Sequence, residues 1–258
     1  LSPTSETTPD AAPAAKQSTT KARTLSRLVL DAAATHKGTA LKYPLGKGWG
    51  EISYPKLGTG VREIAKGLIA LDVQPGDRVA ILSNTRAEWT LADFGAICAG
   101  AVVVPVYQTN SPEECLYVLE HSGSMAIFCE DSEQVAKIEE IAEQLPALKH
   151  VVRFEGESEG TLTLSELKGR GADVTDEQFD ERAGAATEDD VATIVYTSGT
   201  TGPPKGCMLT HGNLRADVDG TATLVVFEPK DEVIYIFLPL SHVLTRLVQM
   251  VGIDQGAT

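Results

Sequence analysis

No stretch of this chain is long and apolar enough to cross a bilayer. The longest candidate, Phe94 to Val106, is broken by Gly95, Gly100 and Pro105, and reads as the end of a buried helix followed by a strand. Cysteine is scarce: Cys98, Cys115, Cys129 and Cys207 stand singly, without the paired spacing of a zinc site or a disulfide framework, and are expected to be reduced. Basic residues are outnumbered, 22 Lys and Arg against 36 Asp and Glu, and the resulting formal charge of −14 weighs against a nucleic-acid partner, whose phosphates attract clustered cations. His36, His121, His150 and His211 share no spacing that would gather a metal, while Asp93, Glu113 and Glu114 are explained by helix surfaces and capping. No internal repeat is present. Residues 1–23 are rich in Ser, Thr, Pro and Ala and lack the charged head and apolar centre of a secretory signal. They read as a flexible tail, and the chain as cytoplasmic.

What is present is an ordinary globular composition, 42% hydrophobic and 22% charged over 258 residues, enough for one large domain or two small ones. Its most informative stretch is Tyr-Thr-Ser-Gly-Thr-Thr-Gly-Pro-Pro-Lys-Gly at 196–206. Glycines let the backbone visit positive φ and aim consecutive N–H groups at anionic oxygens, hydroxyls add donors, and Lys205 adds a cation. The run departs from the common P-loop, because Lys205 is followed by Gly206 where Ser or Thr would be required. It is placed between an apolar strand and a helix, where anions meet free N–H groups.

Around it runs an alternation of helix and strand. Apolar spacing predicts helices from Thr24 and over Tyr54 to Leu71, a turn at Asp72 to Asp77, and a strand over Arg78 to Leu82. A helix over Arg86 to Ala99 and a continuous apolar strand over Ala101 to Val106 follow, the pattern of a parallel sheet covered on both faces. Ser111-Pro112-Glu113-Glu114 is a capping signature for a helix ending near His121. Then come a strand over Ala126 to Cys129, a helix capped by Asp131 or Ser132, and a strand over Lys149 to Phe154. After an acidic connector, Val191 to Tyr196 is a strand that delivers the loop at its carboxyl end. A helix over His211 to Val226, a strand over Val233 to Leu238 and a helix from Ser241 complete the pattern. The fold class is α/β, with a largely parallel sheet flanked by helices.

Tyr196 to Gly206, continued by Met208-Leu209-Thr210-His211-Gly212-Asn213, resembles the signature loop of the adenylate-forming enzymes. Phe237-Leu238-Pro239-Leu240-Ser241-His242-Val243 resembles the motif that follows it in that superfamily and walls the acyl pocket. The resemblance runs from about residue 24 to the end. Asn84 to Trp89, Val103 to Thr109 and the His242 motif look most like long-chain fatty acyl-CoA synthetases of actinobacterial type. It implies that residues 24–258 are an incomplete N-terminal AMP-binding domain, that ATP activates a long-chain fatty acid as an acyl-adenylate, and that CoA takes the acyl group. The family's magnesium-binding pair, ribose-binding aspartate and terminal catalytic lysine find no match here. By the resemblance, the magnesium ligand lies outside this chain, and the chain alone is expected to be inactive.

Carried over residue by residue, Thr197, Ser198, Gly199, Thr200, Thr201 and Gly202 grip the β and γ phosphates, and Lys205 steadies the loop and neutralises charge, or is merely a solvated lysine. His242 belongs to the acyl-adenylate pocket, or is a capping or packed histidine. Some relatives place an aromatic gate where this chain has Arg246, which either attracts a carboxylate or CoA phosphates or points outward from its helix. Trp89 and Tyr107 are read as core or interface aromatics. Three alternatives stay open: a fatty acyl-AMP ligase loading a carrier protein, a non-catalytic nucleotide-binding module, and a phosphotransferase. Transient contact with a membrane surface is left open, and the oligomeric state is not readable.

Overall fold

The computed structural model describes residues 23–197, 202–224 and 232–258. Most of the tail, residues 1–22, lies outside these, as do Ser198, Gly199, Thr200 and Thr201 of the loop.

The chain opens with α1 (Leu25–Thr35), capped by the Thr24 side chain, which accepts the Arg27 N–H. A hairpin of β1 (Thr39–Leu45) and β2 (Gly48–Ser53) follows, turned at Gly46, whose φ of +58° suits glycine. Then come α2 (Tyr54–Ala70), β3 (Arg78–Leu82), α3 (Ala87–Cys98), β4 (Val102–Val106) and α4 (Pro112–Ser122). The capping signature of α4 forms as read, with Ser111 and Glu114 exchanging side-chain and backbone hydrogen bonds. Next are β5 (Ser124–Cys129), α5 (Ser132–Ile141), capped by Asp131, β6 (His150–Arg153), the short β7 (Leu162–Thr163), α6 (Leu164–Arg170) and α7 (Asp176–Ala185). The chain closes with β8 (Val191–Thr197), β9 (Lys205–Thr210), α8 (His211–Leu224) and α9 (Val243–Gln255).

Seven strands form one sheet in the order β7-β6-β5-β3-β4-β8-β9, parallel throughout except for the antiparallel pair β8–β9. The period-two alternation of the central strands divides the core. Val79 and Ile81 of β3, Val103 of β4 and Phe128 of β5 pack with α1, α2 and α3, while Ala80, Leu82, Val104 and Ile127 pack with Cys115, Val118 and Ile138 of α4 and α5. Both faces are covered, which is why these strands are apolar without interruption.

Three expectations are corrected. The loop after β8 does not lead into a helix. It turns back as a hairpin, with Thr197 opposite Lys205 and Tyr196 opposite Gly206, and α8 begins only at His211. The sequence hides this strand because Gly206 gives it little strand character, yet a Cβ there would stand 2.8 Å from Ile194 Cγ2 and 3.3 Å from the Tyr196 ring. The segment 233–238 forms no strand: Ile234 N–H donates to the Thr258 carbonyl and the Leu238 carbonyl accepts the Thr85 hydroxyl, with no ladder to a neighbouring strand among the described residues. The last helix begins at Val243, with His242 as its N-cap residue, and not at Ser241.

Candidate nucleotide and acyl site

The geometry of the site follows from the neighbouring strands β4 and β8. They run parallel with Val103 beside Thr193, so both leave the sheet on the same edge, β4 into Tyr107 and β8 into Thr197 and the loop. Carboxyl edges of parallel strands are where open α/β sheets bind ligands.

Of the loop residues, Thr197 is exposed at the end of β8 and Lys205 is exposed at the start of β9, facing each other across the last pair of the ladder. Gly202 has a φ of +89°, the left-handed conformation for which a glycine is needed. Ser198, Gly199, Thr200 and Thr201 lie outside the described residues. Both legs of the loop are tied to α4. Tyr117 Oη donates to the Pro204 carbonyl at 2.8 Å, and the Tyr196 hydroxyl and His121 Nδ1 are 2.8 Å apart. Tyr117 stacks on His121, and both meet Tyr196 edge to face, so three rings buttress the base of the hairpin. Sequence reading left His121 without a role, because its partner is 75 positions away.

His242 is exposed and precedes α9, but its side chain does not cap the helix. Its Nδ1 lies 3.0 Å from Tyr107 Oη, with the two rings edge to face at 5.1 Å. Tyr107, read from sequence as a core or interface aromatic, is half-buried, and burial raises its phenol above the ordinary value. The Tyr107 hydroxyl thus holds the ring through Nδ1.

Arg246 and Asp93 were both misplaced by sequence. Neither is at the surface: Arg246 is 2% exposed, Asp93 is fully buried on α3, and the two form a bidentate pair. Burial pushes the Asp93 carboxyl up and the Arg246 fork pulls it down. A neutral Asp93 carboxyl would strand a buried cation, because arginine side chains are charged in proteins, and the pair is read as ionic. His211, also without a predicted role, is 3% exposed and accepts the Leu25 N–H at Nδ1, 3.2 Å away, joining the starts of α8 and α1.

Among the described residues no group of three His, Cys, Asp or Glu side chains could hold a metal ion. A cavity of about 910 Å³ opens between the β1–β2 hairpin, the start of α3 and the segment leading into α9, lined in part by Trp49, Arg86, Tyr235, Phe237 and Gln249. Neither Lys205 nor His242 lines it.

Residues 29–258 match the family model described as "AMP-binding enzyme". The chain is 38% identical over 214 residues to the long-chain-fatty-acid–CoA ligase FadD15 of Mycobacterium tuberculosis, an alignment covering 81% of this chain and 35% of that protein. It is 35% identical over 218 residues to the long-chain-fatty-acid–CoA ligase ACSBG2 of Xenopus laevis, covering 82% and 30% respectively. The chain therefore spans about a third of the length of the curated relatives it matches. The crystal structure of the anthranilate CoA ligase AuaEII in complex with anthranoyl-AMP superposes with a TM-score of 0.82 at 22% identity, covering 92% of this chain and 44% of that one, a likeness of fold. The α/β architecture is that of the N-terminal domain of adenylate-forming enzymes, and with the family model matched over residues 29–258 this chain belongs to the AMP-binding enzyme family.

Proposed function

We propose that this chain is the front portion of an ATP-dependent long-chain fatty acid:CoA ligase, residues 24–258 being an incomplete AMP-binding domain. The observation that carries the reading is that the two ends of the loop, Thr197 and Lys205, and the Tyr107–His242 pair lie on one carboxyl edge of the sheet. In this reaction the fatty carboxylate attacks the α-phosphorus of ATP, pyrophosphate leaves, and the thiol of CoA then takes the acyl group as AMP departs. Two anions must meet, so the chain's contribution is electrostatic: backbone N–H groups, hydroxyls and a cation held in place before the reaction. Thr197, Ser198, Gly199, Thr200, Thr201 and Gly202 hold the β and γ phosphates, Lys205 neutralises their charge, and His242 walls the acyl-adenylate. ATP arrives with magnesium, whose protein ligands we assign to polypeptide outside this chain. No described helix is long and apolar enough to cross a membrane. We place the enzyme in the cytoplasm, with transient contact at a lipid surface as its route to a poorly soluble substrate.

The test is fatty-acid-dependent ATP/pyrophosphate exchange by the chain carried through to its natural C-terminus. Exchange is expected there and absent from the 258-residue chain alone. Lys205→Ala and Thr200→Ala should each lower it ~10-fold or more, the scale of losing one preorganised donor. Formation of acyl-CoA in the same protein distinguishes the ligase from an enzyme that loads a carrier protein. Exchange that survives both loop substitutions would overturn the site assignment.

A further inference from the structure

A fully buried cation sits one turn away from His242. Arg246 Nε donates to Asp93 Oδ2 at 2.8 Å, Nη2 donates to Asp93 Oδ1, and Nη1 donates to Thr193 Oγ1 at 2.7 Å. Thr193 sends its own hydroxyl proton to the Val103 carbonyl, 2.7 Å away. One guanidinium thus joins α9 to α3 and β8, and through Thr193 to β4. The face of Trp89 lies alongside, its ring centroid 5.8 Å from the guanidinium carbon.

Stability alone is a poor reason for this arrangement. Taking two charges out of water costs about what their attraction returns, and apolar side chains of similar volume commonly serve as well. A planar fork does what apolar packing does not: three directed N–H bonds fix both the rotation and the axial position of the helix that carries it. In α9 that position has a consequence. The Arg246 backbone N–H donates to the His242 carbonyl at 3.1 Å, so the buried fork and the exposed imidazole are the two ends of one turn. Thr193, the fork's other anchor, lies on β8, the strand that runs directly into the phosphate loop. Tyr107 holds the imidazole from the end of β4, the strand whose Val103 carbonyl receives the Thr193 hydroxyl.

We infer that Arg246, gripped by Asp93 and Thr193, is a positioning residue that sets where His242 stands relative to the phosphate loop, and so governs turnover without touching substrate. The inference rests on the reading of His242 as an acyl-pocket residue given above. It differs from a packing role in one respect: its effect passes through a single group.

The experiment uses the chain carried through to its natural C-terminus. Arg246→Lys keeps the charge but loses the fork, and is expected to lower kcat for exchange ~10-fold while the KM values for ATP and fatty acid change less than ~2-fold. In a His242→Ala background the same substitution should have no further effect, because the group it positions is gone. In protein labelled at histidine, Arg246→Lys should shift the His242 imidazole resonance, identified by its loss in His242→Ala, while the surface control Lys37→Arg leaves it in place. Should Arg246→Lys fail to fold, Thr193→Val, which removes one anchor of the fork and leaves the ion pair in place, carries the same three readouts. Losses that multiply across the double variant, or an unmoved His242 resonance, would overturn the inference. Absence of exchange in the unsubstituted protein would instead overturn the functional reading, and the resonance shift would then decide the positioning role by itself.

Discussion

Lowering the pH from about 7 to about 5 is expected to cost the folded chain about 2 kcal/mol at a single histidine. His211 is 3% exposed, and burial pushes its imidazole down to about 4, with the positive charge of Arg246 adding to the effect and Asp190 opposing it. Its Nδ1 accepts the Leu25 N–H, an acceptor that protonation would abolish. In the unfolded chain the same imidazole titrates near 6.5. Between these values the unfolded state holds more protons, so this contribution is fully present above about 6.5 and is lost as the pH falls toward 4. Integrating from pH 7 to pH 5 gives about 2 kcal/mol, a factor of roughly 30 in the folding equilibrium. The assay is urea denaturation followed by fluorescence, with Trp89 fully buried and Trp49 64% exposed as the reporters. Burial also lowers His150, so the decisive comparison is with His211→Gln, whose amide oxygen can accept the Leu25 N–H but cannot titrate in this range. The variant should lose about 2 kcal/mol less than the parent across the window. Equal losses in the two proteins would refute the argument.

Three further outcomes are expected. Asp93→Ala strands the Arg246 cation in the core and should cost about 3–5 kcal/mol, whereas Asp93→Leu combined with Arg246→Met should fall within about 1 kcal/mol of the parent, both read from urea midpoints. Gly67→Ala would gain about 1 kcal/mol of helix propensity, but its Cβ meets the Leu167 carbonyl oxygen and lies 2.8 Å from Leu167 Cγ. A net loss of about 1–3 kcal/mol by thermal denaturation is expected from this overpacking of α2 against α6. Of the four cysteines only Cys207 is exposed, and burial raises the Cys98, Cys115 and Cys129 thiols, so a thiol reagent should titrate one group in the folded chain and four after denaturation.

Legibility in the sequence follows the range of the interaction. The loop stood out in the sequence because its conformational demands are local: Gly202 takes a φ of +89°, which suits glycine. Arg246 and Asp93 were misread because each was judged by its own helix, while the bond between them spans 153 positions. A local signal did exist for one of them. Between Ala87 and Cys98 the helix carries Asp93 among Trp89, Leu91, Ala92, Phe94 and Ile97, with apolar residues all round and only Glu88 not buried. A helix without a polar face has no surface on which to put an aspartate, so Asp93 had to be buried and paired. Nothing comparable marked Arg246, whose helix has exposed and buried faces, or Tyr107, whose pairing with His242 depends on how β4 and α9 come together.

The segment 232–238 separates two properties that a strand pattern combines. Val233, Tyr235 and Phe237 are 65%, 77% and 73% exposed, while Ile234 and Ile236 turn inward, so the side chains alternate as in the strand read from this continuous apolar run. What is missing is the ladder: among the described residues the backbone bonds of this segment reach Thr258 and the Thr85 hydroxyl, and no neighbouring strand. Alternation is a property of extended backbone and is set residue by residue, whereas strand status is conferred by a neighbour. For β9 the neighbour was overlooked although the hairpin geometry supplied it, and for 232–238 a neighbour was assumed that the described residues do not supply. The two errors have opposite signs and one cause. Hydrophobic period states which way side chains face, and pairing must be argued separately, from turn chemistry for a hairpin and from the remaining topology for a crossover.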